Sequence, residues 1–107
     1  MAQLCERSCK ACRGDAPRLA GPQARELMEQ LQGWDLVEEH HLRKTFKFPD
    51  FATALAYVNR VGELAERENH HPNIFLTWGR VRIELCTHKV EGLTEGDFIL
   101  AAKIDTL

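Results

Sequence analysis

Residues 50–75 read DFATALAYVNRVGELAERENHHPNIF, and the way this stretch starts, stops and changes period decides the fold. Asp50 has the short acceptor side chain of a helix N-cap, and Phe51, Ala54, Leu55, Val58, Val61, Gly62 and Ala65 follow at helical spacing as an apolar stripe. A proline pushes the residue before it out of the α region, so Pro72 forbids the helix to continue through His71. The adjacent pair His70 and His71 therefore falls at a helix exit. Immediately afterwards the period changes: IFLTWGRVRIELCTH, residues 74–88, reads as two strands joined around Gly79. In the second of them Val81, Ile83, Leu85 and Thr87 alternate against Arg82, Glu84, Cys86 and His88.

The same logic extends in both directions. Upstream, WDLVEEHHLRKTFKF (34–48) holds two strand-like runs about the polar centre Glu38 to His41, with Leu42, Lys44, Phe46 and Phe48 on one face of the second, closed by Pro49. A hairpin is the simplest account, and His40 and His41 then sit at a solvated turn. Before it, QARELMEQLQ (23–32) consists of good helix formers and ends at Gly33. Downstream, LTEGDFILAAKIDTL (93–107) opens with Thr94 three residues before Asp97, in the manner of a capping box, and carries Leu100, Ala101, Ile104 and Leu107 on one face. The order αββαββα predicts an α+β fold, a four-stranded antiparallel sheet with three helices on one face. Residues 1–22 show neither period and contain Gly14, Pro17, Gly21 and Pro22, so they read as an arm preceding a single domain over 23–107.

Composition limits the partners. Fourteen basic against sixteen acidic residues give a net charge of −2, which is not the footprint of a nucleic-acid binder. No apolar run approaches the length of about 20 residues that spans a bilayer, and the first residues contain no apolar core of a signal peptide, so no membrane association and a cytoplasmic location are expected. Cys5, Cys9, Cys12 and Cys86 are too unevenly placed for a disulfide framework and read as free thiols of a reducing compartment. The C-x3-C-x2-C spacing of the first three matches, in number only, the iron–sulfur ligands of radical enzymes using S-adenosylmethionine; a chain this short cannot supply the large barrel such a cluster needs.

Candidate chemistry concentrates on His70, His71 and His88, which fall at element boundaries, where rigid scaffolds present functional groups. A zinc site with Glu66 or Asp97 as oxygen ligand is opposed by spacing: consecutive side chains diverge, and no His-x-x-x-His stands on a helix. No metal is expected. Acid–base catalysis needs no fixed spacing, since an imidazole with a pKa of about 6.5 serves as either acid or base near neutrality. Glu66, four residues before His70, is placed on the same helix face to orient an imidazole. Taken one at a time, each residue also has a structural explanation: His70 as a cation at a helix C-terminus, Asp97 as a cap partner, Glu66 as a solvated charge. Composition and spacing leave the two accounts level.

The combination AERENHHPNI (65–74) with VRIELCTHKVEGLTEGDFILAAKID (81–105) resembles the pterin-4a-carbinolamine dehydratase family, whose hallmark is a glutamate, His-His-Pro, a Thr-His or Ser-His after a strand, and Gly-Leu-Thr followed by an aspartate. The resemblance extends more weakly over residues 23–107, and CKACRGDAP (9–17) looks like the extended arm of bacterial members associated with phenylalanine hydroxylase. It implies the same four-stranded sheet with three helices, catalytic roles for His70, His71 and His88 supported by Glu66 and Asp97, and substrate contacts from His70, His71 and Pro72 and from Thr87, His88, Lys89 and Val90. It further implies a hydro-lyase without cofactor that dehydrates a 4a-hydroxytetrahydropterin, acts as a homodimer or homotetramer, and serves phenylalanine hydroxylase. Family members also act as dimerisation or regulatory partners of other proteins, which is the alternative. Ile74 stands where the family often has Trp, and Trp78 where Tyr is common, which puts packing beside the pterin or at a subunit contact in question and leaves the acids and bases untouched.

Overall fold

The structure is a computed structural model that describes residues 17–107. Its elements run α1 (Gly21–Met28), β1 (Asp35–Val37), β2 (His41–Lys47), α2 (Phe51–Glu68), β3 (Asn73–Thr77), β4 (Arg80–Leu85), a 3-10 turn (His88–Val90) and α3 (Glu95–Ile104). The strands form one antiparallel sheet in the order β1-β2-β4-β3. This is the expected α+β fold in the expected order. Cys5, Cys9 and Cys12 lie outside the described residues.

The centre of the sheet is the antiparallel pair β2 and β4, with Leu42 opposite Leu85, Lys44 opposite Ile83 and Phe46 opposite Val81. Because a strand alternates its faces, this register turns Leu42, Val81, Ile83 and Leu85 to the helices, and all four are fully buried. Phe98, Leu100 and Ile104 of α3 and Val61 and Leu64 of α2 close over them. α3 is buried on nearly every side, Gly96 to Ala101 all being enclosed, which is why its sequence is apolar beyond the single face read from spacing. Leu107, expected on that face, lies past the helix end and is exposed.

Two helices differ from expectation. α1 begins at Gly21, with Pro22 in its first turn where a missing N–H costs nothing, and ends at Met28 rather than Gln32. Ahead of it Leu19 packs on the core and its N–H donates to the Leu93 carbonyl over 2.8 Å. In α2 the inward stripe is Ala54, Tyr57, Val61, Leu64 and Ala65, whereas Phe51 and Leu55 face out, 44% and 41% exposed. Tyr57 takes the place expected of the aliphatic residues because Phe46 and Phe48 lie 5.0 and 5.1 Å from its ring. Asp50 caps this helix, accepting from the Thr53 amide at 2.7 Å, and those contacts hold its carboxyl below the ordinary value.

Both hairpins form. In the first, Glu38 and Glu39 both have left-handed backbones (φ 53° and 54°), and the His40 N–H closes the turn on Val37. In the second, Trp78 and Gly79 alone join Thr77 to Arg80, with Gly79 at φ 95°.

Candidate active site

The exit of α2 divides the two adjacent histidines. Asn69 takes a left-handed conformation (φ 52°) at the C-cap and the His70 N–H donates to the Ala65 carbonyl, which ends the helix and swings His70 inward. Asn is among the few residues that accept this conformation at low cost. His70 is only 6% exposed, and its Nε2 lies 2.6 Å from Asp97 Oδ1. His71 points out, its Nε2 2.6 Å from Glu66 Oε1. Helical spacing had paired Glu66 with His70; the left-handed cap at Asn69 redirects the chain so that Glu66 meets His71 instead, and Asp97, reached across 27 positions, takes His70.

Asp97 is fully buried, and every bond it needs is present. Its Oδ2 accepts from Thr87 Oγ1 at 2.8 Å and from the Thr94 amide at 2.9 Å, while Oδ1 faces His70. The cap role and the imidazole-orienting role, set against each other as alternatives by the sequence, are held by one carboxylate. With three donor groups directed at its two oxygens, the carboxylate serves as an acceptor only. Since it can only accept, His70 Nε2 carries the proton, and in neutral His70 the free lone pair belongs to Nδ1. An imidazole whose far nitrogen is bound to a carboxylate has one orientation and one neutral tautomer.

Thr87 also fixes His88. After β4 ends at Leu85, Thr87 bridges back to Gly92 with its N–H on the Gly92 carbonyl at 2.7 Å, and the chain between them makes the 3-10 turn that carries His88, Lys89 and Val90. Thr87 points in to Asp97, and His88, the next residue, points out. His88 is exposed, with Nδ1 4.0 Å from Cys86 Sγ. His70 and His88 are thus linked through Asp97 and Thr87, without a hydrogen bond joining any two of His70, His71 and His88 among the described residues. Pro72 and Val90 are half-buried and Lys89 is exposed.

His88 opens on a cavity of about 560 Å3 on the helix-free side of the sheet, lined also by His40, His41, Asn73, Glu84, Cys86 and Glu91. Sequence reasoning assigned His40 and His41 to a solvated turn. His41 is instead the first residue of β2, next to the Leu42–Leu85 pair, so it shares a face with Glu84 and Cys86. The strand alternation was the available signal; the register that joins β2 to β4 was not. Burial pushes the Cys86 thiol up, with the carboxylates of Asp97 and Glu84 adding to the effect, so it is held in its protonated form. No three His, Cys, Asp or Glu side chains converge as a metal would require among the described residues.

Residues 17–107 match the family model described as pterin 4 alpha carbinolamine dehydratase. Relatives from Rubrobacter xylanophilus (53% identical over 107 residues, all of both chains) and Alkaliphilus metalliredigens (44% over 106 residues, 98% and 96% covered) carry that enzyme's name provisionally. Among solved structures, a transcriptional coactivator/pterin dehydratase from Brucella melitensis superposes with a TM-score of 0.78 at 33% identity, covering 84% of this chain and 97% of its own. A pterin dehydratase-like protein identified as a RuBisCO assembly factor in the alpha-carboxysome has a TM-score of 0.59 at 26% identity over 70% and 88%. The family match reaches from the segment before α1 through the last residue, across both hairpins and α3 with its Asp97: the chain belongs to the pterin 4 alpha carbinolamine dehydratase family.

Proposed function

We propose that the protein is a hydro-lyase that converts 4a-hydroxytetrahydropterin to quinonoid dihydropterin and water. The reaction breaks the C4a–OH bond, removes the N5 proton and leaves a C4a=N5 double bond, so it needs one proton donor at the hydroxyl and one acceptor at N5. No electron leaves the substrate. His70, held in one orientation by Asp97, serves as the acceptor, and His88 serves as the donor from the exposed turn. His71, oriented by Glu66, binds and polarises the pterin, and Pro72, Thr87, Lys89 and Val90 complete its contacts. The observation that supports this most is the buried His70–Asp97–Thr87 chain ending beside His88, in a member of a dehydratase family.

Each proton-transfer group is worth about 10² to 10⁴ in rate. His70→Ala and His88→Ala are therefore expected to lower carbinolamine dehydration by at least about a hundredfold, followed as loss of its absorbance with a fresh hydroxylase supplying substrate. Wild-type turnover in both variants overturns the reading. The protein acts in the cytoplasm as a homodimer or homotetramer, supplying phenylalanine hydroxylase with recycled cofactor.

A second reading, that of a regulatory or dimerisation partner of a hydroxylase or transcription factor, draws on the exposed Phe51 and Leu55 of α2 and on the coactivator name of the Brucella protein. Purified protein that leaves the carbinolamine lifetime unchanged and co-purifies with a hydroxylase or transcription factor favours it.

A further inference from the structure

The proton count around Asp97 carries one step beyond the residues already given roles. Thr87 has a single hydroxyl proton, and Asp97 Oδ2, a carboxylate oxygen, can only accept; the proton of Thr87 is therefore spent on Asp97 over 2.8 Å. Thr87 Oγ1 also lies 2.9 Å from Thr94 Oγ1. With the Thr87 proton committed, Thr94 must be the donor of that bond. The direction is then fixed along the whole chain: Thr94 O–H to Thr87 oxygen, Thr87 O–H to Asp97, and Asp97 holding His70 Nε2–H. All four residues are buried, Thr94 and Asp97 completely.

We propose that Thr94 is a positioning residue for His70, acting through Thr87 and Asp97. A hydroxyl that receives a hydrogen bond is a better donor, so the Thr94 proton strengthens the Thr87–Asp97 bond and draws Asp97 charge toward Oδ2. The Thr94 amide donates to the same oxygen, at 2.9 Å. Oδ1 is left as the oxygen that faces one partner, His70, and the imidazole is held in the tautomer that exposes Nδ1. Thr94 touches no substrate in this scheme. It fixes which nitrogen is the base and how strongly Asp97 holds the other.

The inference rests on the dehydratase reading only for its consequence in turnover; the relay itself is readable in the substrate-free protein. In the wild type, nitrogen NMR of the neutral His70 ring, recorded at a pH above its titration, is expected to report a protonated Nε2 and a bare Nδ1, with the Nε2 proton far downfield as a short bond to carboxylate requires. The opposite tautomer overturns the proposal whatever the activity. Thr94→Val removes the hydroxyl and is expected to shift that proton resonance and lower kcat by about five- to tenfold with KM unchanged, the rate equivalent of one neutral hydrogen bond. Thr94→Ser restores both. A Thr94→Val protein with the wild-type resonance and wild-type kcat, or a Thr94→Ser protein as impaired as Thr94→Val, overturns it. Should Thr94→Val not fold, the wild-type tautomer and the Ser variant still decide the question. A wild type with no turnover but the expected tautomer defeats the dehydratase reading and leaves the relay standing.

Discussion

Asp97 and Gly79 show how much a single position can carry. Truncating Asp97 to Ala leaves the Thr87 hydroxyl, the Thr94 amide and His70 Nε2–H without their shared acceptor in a dry site. By the cost of breaking a buried charged network, this removes about 3–5 kcal/mol of stability, measurable as a fall in the urea midpoint. At Gly79 the φ of 95° already disfavours a side chain, and a Cβ would stand 2.9 Å from the Phe48 carbonyl oxygen. Gly79→Ala is expected to destabilise by at least about 1 kcal/mol, read in the same titration. Tyr57, pushed up to about 12 chiefly by burial and then by Asp105, adds a pH effect. Its raised folded value means stability is fully present below about pH 10, the value in the unfolded chain, and is lost as pH rises toward 12. Tyr57→Phe should flatten the denaturation midpoint across that window; an unchanged slope rejects the assignment. These residues mark the limit of what sequence reveals: Gly79 was legible as a turn, but the carbonyl beside it and the Asp97–His70 pairing are long-range facts that no local pattern encodes.

At the scale of elements, the β1–β2 turn holds two glutamates in a conformation that favours Gly, Asn or Asp, each at a cost of about 1–2 kcal/mol. Among the described residues, the His40 N–H on the Val37 carbonyl and an exposed ion pair from Arg25 to Glu39, 2.6 Å long, oppose this, and such exposed pairs are worth little. The double variant Glu38→Asn, Glu39→Gly is expected to raise the melting temperature; a lower one would show that the Arg25 contact outweighs backbone strain. The sequence indicated a turn from polarity alone, since neither glutamate advertises it. The helices were legible where a cap or breaker marked them: Asp50 and Pro72 bound α2 correctly. The inward face of α2 was less so, because apolar spacing does not distinguish residues that meet the sheet from Phe51 and Leu55, which do not. α1 was placed late and long, as its Gly21–Pro22 start resembles a linker until Leu19 is seen paired with Leu93.

For the whole molecule, Phe51 and Leu55 of α2 face away from the sheet, with half-buried Val58 packed on the core beside them, and a Cβ at Gly62 would meet nothing within 4 Å. An apolar, close-approach helix face is what a second copy of the chain would cover. Leu55→Glu is expected to shift the sedimenting species to a smaller mass while leaving the His70–Asp97 resonance unaltered; an unchanged mass assigns the interface elsewhere. Topology was recoverable from the order of periodic segments, with Leu42, Val81, Ile83 and Leu85 marking the inner face, whereas the strand order and the cavity beside His88 required the β2–β4 register. The double duty of Asp97 has one more outcome, for reading other chains built this way. His71 and His88 are exposed and can be exchanged with little effect on packing, whereas Asp97 caps the start of α3 and is fully buried. A descendant that abandoned the proposed chemistry would still lose stability by giving up this aspartate. Its presence in a sequence therefore reports on the fold first, and under the proposed roles the exposed His71 and His88 are the positions whose loss would mark abandoned dehydration.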